Sequence, residues 1–331
     1  MNKVSGGVRP LDFKRVESFS DLVAFGIKSW LFGKLTRDSS DLFFRGRDII
    51  SVRSQITGVW EPTLTELIAH FADSGHDDFL IDIGANIGLV SSQSGNRFKH
   101  VHMFEPNPHC CNLIEVNTAI ALNVPKTLHR YGLGDCDKTC ELTVPKHNWG
   151  GAFVDDGANA YDKATLAAKD GFAAYSEANY FNVAIEIKDG TKALAAVFAD
   201  LLAKGLTRGV IKIDVEGYEP VVLKGIAAAI PPEIGVVIVL ESWDRNFPME
   251  SVLAAFGERG TAYKLDRRVP WKPGASNFAK AAALMMHPRI DTRIVPGAAG
   301  DWAGDVVISV DAVATKTSEP AGSVNSDMVS G

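Results

Sequence analysis

Carboxylates stand at the ends of short apolar runs along this chain. Phe79-Leu80-Ile81-Asp82 is one such run, Val101-His102-Met103-Phe104-Glu105 another, and Thr127 to Leu133 leads into Gly134-Asp135. Val210-Ile211-Lys212-Ile213 ends on Asp214, with Glu216 two residues on, and Val236 to Leu240 ends on Glu241. In an open parallel sheet, ligands sit outside the carboxyl ends of the strands, so the repetition aims acids from five strands at one cleft. Clustered carboxylates repel and raise one another's pKa, which calls for a cationic or hydroxyl-rich ligand among them.

The turn after the first run narrows the ligand. Asp82-Ile83-Gly84-Ala85-Asn86-Ile87-Gly88 reads D-x-G-x-N-x-G. A dinucleotide site needs glycine where Asn86 stands, for close approach of the pyrophosphate, and again where Leu89 stands. An NAD-dependent oxidoreductase is disfavoured on that ground. The pattern suits a ligand without phosphate, and S-adenosylmethionine, with its sulfonium, amino group and ribose, is one. Glu105, at the tip of the second run, is placed to accept both ribose hydroxyls.

The elements that must hold these residues alternate between strand and helix. Trp60-Glu61-Pro62 opens a helix whose Leu64, Leu67, Ile68 and Phe71 form one stripe, ended by Gly75. Asn107-Pro108 opens the next, to about Leu122; further helices follow near Leu194–Leu201, after Pro220 and near Ser251–Arg259. Strands near Ala262–Asp266 and Val306–Val310 bring the total to seven. The predicted fold is α/β, a Rossmann-like, seven-stranded, mostly parallel sheet covered on both faces. Residues 60–311 form this domain. An insertion at about 146–182, Gly-, Ala- and Asp-rich, reads as a substrate loop. Ahead of the domain, 1–59 carries a helix and a strand pair at Leu42–Val52, and 312–331 reads as a disordered tail.

Composition sets limits on partners. Hydrophobic residues make up 46% of the 331 and charged residues 22%, as in globular proteins, and the net charge of −6 speaks against nucleic acid. Cys110, Cys111, Cys136 and Cys140 match neither a zinc site nor a disulfide framework, which suits a reducing cytoplasm. No signal peptide is evident. The apolar run Leu22–Leu35 falls short of the ~18 or more residues that span a bilayer, and reads as a covering helix or a peripheral membrane contact.

Asp82-Ile-Gly-Ala-Asn-Ile-Gly88, Phe104-Glu-Pro106, Gly132-Leu-Gly-Asp135 and Ile211-Lys-Ile-Asp-Val-Glu-Gly-Tyr-Glu219 together resemble the FkbM-type methyltransferases, class I enzymes that use S-adenosylmethionine and mostly methylate hydroxyls of sugars and polyketide products. The resemblance runs from about Trp60 to Glu241. It implies that Gly84, Asn86 and Gly88 cradle the methionine moiety, that Glu105 holds the ribose, and that Asp135 lies near the adenine. Asp82 and Pro106 are counted with them.

For the chemical step, an alcohol is a poor nucleophile, and a positioned base adds ~10²–10⁴-fold. Asp214 is the expected base or substrate anchor, with Glu216 and Glu241 as orienters. Lys212 either pairs with Asp214 or accepts the proton itself if burial lowers its pKa. The bland alternative is that Asp214 and Glu216 cap the helix near Pro220. His147, in His147-Asn148-Trp149-Gly150-Gly151, is a further candidate base beside a tryptophan on which a sugar would stack. Asp214, Glu216 and Glu241 are also an oxygen set suited to Mg²⁺, but no further ligand is evident and the site is read without a metal. The expected activity is O-methylation of a carbohydrate hydroxyl. A macrolide or other natural-product hydroxyl and a non-catalytic binding module are the alternatives.

Overall fold

The computed structural model describes residues 13–35, 48, 50–52, 54, 58–157, 159, 176–242, 247–272, 274–287, 289–297 and 302–313. The chain enters through β1 (Lys14–Ser18) and α1 (Phe19–Leu35). Helix α2 (Pro62–Asp73) then buries Leu67, Ile68, Phe71 and Ala72, as their spacing predicts, and stops before Gly75, whose φ of 91° an L side chain resists.

Next come β2 (Phe79–Ile83), α3 (Leu89–Ser94), β3 (His100–Phe104), α4 (Pro108–Ala121) and β4 (Lys126–His129). Asn107 caps α4 by accepting the His109 N–H at 3.0 Å. After the second sheet described below, α5 (Gly190–Ala203), β9 (Arg208–Ile213), α6 (Glu219–Ala229) and β10 (Gly235–Ser242) continue the alternation. Helix α7 (Met249–Phe256), β11 (Gly260–Arg268), α8 (Asn277–Met286), β12 (Arg289–Pro296) and β13 (Gly304–Val310) complete the described chain.

These strands form a nine-stranded sheet in the order β1-β12-β11-β13-β10-β9-β2-β3-β4. The five strands from β10 to β4 run parallel, which puts their carboxyl ends on one edge. The sheet has nine strands rather than the seven expected, because β12, antiparallel to β11, and β1, antiparallel to β12, extend it at one edge. Side chains alternate across β2: Phe79, Ile81 and Ile83 pack with Phe198 and Leu223 under α5 and α6. Leu80 packs with Phe71 and Ile114 under α2 and α4. Three histidines, His100, His102 and His129, stack along β3 and β4, with ring centroids 4.4 and 5.5 Å apart. Burial holds His102 down to about 3 and His129 down to about 4.

Three expectations need correction. The third core strand does not run through to Gly134: the chain leaves the main sheet after His129, and Gly132–Gly134 (β5) joins a second sheet. That sheet, in the order β5-β8-β6-β7, is built from β5, β6 (Lys138–Pro145), β7 (Phe153–Val154) and β8 (Tyr180–Asp189). Part of the supposed loop at 146–182 is therefore packed β-structure, with Leu142, Val144, Val154, Ile185 and Ile187 in its own core. Most of 158–175 lies outside the described residues. Finally, Ile50, Ser51 and Val52 are helical rather than a strand, because Asp48 accepts both N–H and hydroxyl of Ser51 at 3.0 Å and turns the chain. The other half of the predicted pair, at Phe43 and Phe44, lies outside the described residues.

Candidate functional site

The site grows from the turn between β2 and α3. Gly84 and Gly88 adopt φ of 76° and 77°, and Asn86 between them takes 51°, a left-handed conformation asparagine tolerates better than most residues. A Cβ on Gly84 would lie 1.8 Å from the Asp214 carbonyl oxygen, so only glycine lets this turn press against the end of β9. The N–H groups of Gly84 and Ala85 both donate to the Phe104 carbonyl, at 3.0 and 3.1 Å, which ties the turn to the tip of β3.

Glu105 follows at that tip. Its carboxylate accepts the Asn86 N–H at 2.8 Å on one oxygen and the Asn107 N–H at 2.8 Å on the other. A carboxylate has about four acceptor positions, so these bonds leave room for two hydroxyls. Burial pushes Glu105 up to about 7 against the pull of the two N–H groups. The residue lines a cavity of about 730 Å³ with Gly84, Asn86, Pro106, Gly132 and Leu133, under a roof from the second sheet that includes Leu142, Ile185 and Ile187.

Beneath the turn lies a buried ion pair. Asp82 and Lys212 are register partners on β2 and β9. The Lys212 ammonium stands 3.1 Å from Asp82, 3.7 Å from Asp214, and donates to the Gly84 carbonyl at 2.6 Å. Ser91 donates to the other Asp82 oxygen at 2.7 Å. Burial alone would lower the Lys212 pKa, but the carboxylates of Asp82, Asp214 and Glu61 outweigh it and the ammonium is held more tightly than usual. Two readings are corrected here. Asp82, wholly buried, lines none of the cavities at this turn and meets Lys212 instead, and the surrounding carboxylates raise the Lys212 pKa rather than lowering it as the base reading required.

Asp214 and Glu216 lie beyond the last residue of β9, in a turn. Glu216 has φ of 46° and is buried. Neither caps α6: Glu219 at the helix start accepts the Gly217 N–H at 3.0 Å. Lys138 donates to Asp156 at 2.7 Å, and the Tyr218 hydroxyl donates to the same carboxylate. Asn159 bridges the carbonyls of Val154 and Glu216 at 3.0 and 2.9 Å. The second sheet is thereby fastened to the turn that carries Asp214 and Glu216.

A second cavity, of about 1110 Å³, shares Asn86, Gly150, Asp214 and Glu216 with the first and adds Trp60, Glu61 and Glu241. Among the described residues, the non-glycine positions with positive φ are Glu61, Asn86 and Glu216, and all three line it. Strained backbone gathers at functional sites. Glu61 was not singled out from the sequence, although its place before Pro62 already bars it from ordinary helix geometry. Burial, followed by repulsion from Asp214 with smaller contributions from Glu241 and Asp305, lifts Glu61 to about 7 against the pull of Lys212.

Two predicted residues stand apart. Asp135, just past the end of β5, has a side chain 63% exposed and pairs with Lys138 at 3.5 Å; it does not line the first cavity, although Gly132 and Leu133 of the same strand do. His147 lines neither cavity, whereas its neighbours Asn148, Trp149 and Gly150 do. The Trp149 ring lies against His109 and Phe181, and its backbone N–H donates to Asp48 at 3.3 Å. Among the described residues, no group of three or more His, Cys, Asp or Glu is arranged to hold a metal ion.

The cleft suits S-adenosylmethionine in its donor set: a left-handed glycine turn beside a buried acid with acceptor positions to spare. Methyltransferase sdnD of Sordaria araneosa is 27% identical over 223 residues, which cover 65% of this chain and 85% of that protein. Among solved structures, a putative O-methyltransferase from Klebsiella pneumoniae is 11% identical, covering 88% of this chain and 100% of its own at a TM-score of 0.39. An O-methyltransferase from Bacillus cereus in complex with SAH is 10% identical, covering 87% and 91% at a TM-score of 0.39. The family model of the methyltransferase FkbM domain matches residues 82–258. That match takes in more than half of the 331 residues, and the chain belongs to the FkbM methyltransferase family, whose methyl donor is S-adenosylmethionine.

Proposed function

We propose that this methyltransferase acts on a hydroxyl of a carbohydrate, seated in the cavity that holds Glu61, Asp214, Glu216 and Glu241. The observation that carries the reading is the meeting of the two cavities at Asn86, Gly150, Asp214 and Glu216, which sets an acceptor beside the cofactor turn. Carboxylates accept hydroxyl protons, and Trp60 offers a face for a sugar ring. When bound, S-adenosylmethionine supplies a methyl group on a sulfonium, and in-line placement of the acceptor supplies much of the acceleration.

In this reading Gly84, Asn86 and Gly88 hold the methionine end and Glu105 the ribose. Asp214, kept in place by Lys212, anchors the acceptor. Glu61, poised near neutrality, takes the hydroxyl proton as the O–H bond gives way to the new O–methyl bond. The apolar wall of Ile50, Ile87 and Leu89 favours an acceptor with a hydrophobic part, such as a glycolipid or a natural-product hydroxyl, over a free sugar. A cytoplasmic location belongs to the same proposal and is supported by four cysteines without a disulfide among them. So does a peripheral membrane contact through residues 22–35.

The test is incubation with labelled cofactor and either a glycan extract or a set of apolar polyols, read by mass spectrometry. A one-methyl gain on a glycan, lost by about a hundredfold in Glu61→Gln, is expected. Methylation confined to amines or carbon would overturn the proposal.

A further inference from the structure

Helix α1 is apolar almost all round, yet little of it is covered. Val23, Ile27, Trp30 and Leu31 recur at i, i+4, i+7 and i+8, the spacing of a buried stripe, but this stripe faces outward, with Ile27 57% and Trp30 65% exposed. Helix α8 touches α1 and repeats the pattern: Phe278, 85% exposed, and Met285 and Met286 stand seven and eight residues apart on its outer side. Ala283 and Leu284 face inward.

We propose that the outer faces of α1 and α8 form one docking surface for a bilayer rich in anionic headgroups. Charge favours this occupant. The two helices carry Lys28, Lys34 and Lys280 against the single acid Asp21, in a chain whose net charge is −6. Lys34 lies on the apolar stripe itself, eleven residues after Val23. Between two copies of this chain that ammonium would be stripped of water and would meet like charges. At a bilayer surface its stem lies along the acyl boundary while the ammonium reaches the phosphates. Trp30 suits the same depth, with an apolar body and a polar N–H. At 17 residues α1 is about 25 Å long, and no described helix is long and apolar enough to cross a membrane, so the geometry is that of a helix lying in the surface. The proposal does not depend on which acceptor is methylated.

Flotation of the full chain with vesicles of phosphatidylcholine alone, or mixed with phosphatidylglycerol, tests it. Binding to the mixed vesicles should exceed binding to the neutral ones by at least about tenfold. The double variant Trp30→Glu, Phe278→Glu should lose it, with unchanged circular dichroism and cofactor binding, since both side chains are exposed. Lys34→Ala, on the stripe itself, should lower only the anionic preference. Absence of binding to both vesicles, or a dimer in sedimentation velocity that Trp30→Glu dissolves, would overturn the proposal.

Discussion

Replacing Glu105 by glutamine keeps the size of the side chain and removes its charge. In the native site each carboxylate oxygen accepts one backbone N–H at 2.8 Å. The amide has only one oxygen, so its NH₂ group must face either the Asn86 or the Asn107 N–H, donor against donor. A hydrogen bond to a charged group contributes about 1.5–3 kcal/mol, so loss of even one ribose contact should weaken S-adenosylhomocysteine binding by about ten- to a hundredfold. The native protein should also show a pH dependence that the variant lacks. Burial sets Glu105 at about 7 in the free protein. Ribose hydroxyls donate to the ionised form, so affinity should be full at pH 8 and decline as pH falls through 7, by about tenfold at pH 6. Calorimetric titration at three pH values measures both effects. Equal affinity in Glu105→Gln, or a native curve flat from pH 6 to 8, would refute the placement of the ribose at Glu105.

Gly84→Ala should abolish cofactor binding and destabilise the fold by at least about 2 kcal/mol, because its Cβ meets a backbone oxygen at 1.8 Å; Gly75→Ala, with a similar positive φ but open space, should cost only about 1 kcal/mol in urea unfolding. Lys212→Met leaves Asp82 charged and fully buried with only the Ser91 hydroxyl, a loss of about 3–5 kcal/mol in the same assay, and Asp82→Asn in that background should recover part of it. His102 and His129 are held neutral by burial at about 3 and about 4, below the ordinary value of 6.5. Their contribution to stability is therefore full above pH 6.5 and is lost as pH falls toward 4, and His102→Met should make that decline shallower.

The geometry of the glycine turn and its facing acid was legible because its requirements are local. Gly84, Asn86 and Glu105 lie within two strand tips and one turn, where the backbone requirement and residue type are written together. The acid cluster was only partly legible. Asp214, Glu216 and Glu241 follow strands that are plain in the sequence, but Glu61 precedes a helix and reaches the cavity through a left-handed backbone that no periodicity announces. Asp135 misled for the opposite reason. Nothing in Thr127–Leu133 marks a break, and only the partners available to Gly132–Gly134 reveal that the chain changes sheets at Arg130 and Tyr131. Lys212 looked like a candidate base because burial lowers lysine pKa values. The outcome was decided by Asp82, its register partner 130 residues earlier in the chain.

The contact between Gly84 and the Asp214 carbonyl has a consequence for how such an enzyme can change its substrate. With no space between the two turns, and with Lys212 meeting both, the cradle proposed for the methyl donor and the floor of the cavity proposed for the acceptor form one stiff block. A change that widened one would distort the other. On the proposed reading, altered acceptor preference must therefore come from the surrounding walls, Ile50 and Trp60 and the sheet fastened through Asp156 and Asn159. These can be exchanged without reshaping the place where the methyl group is held.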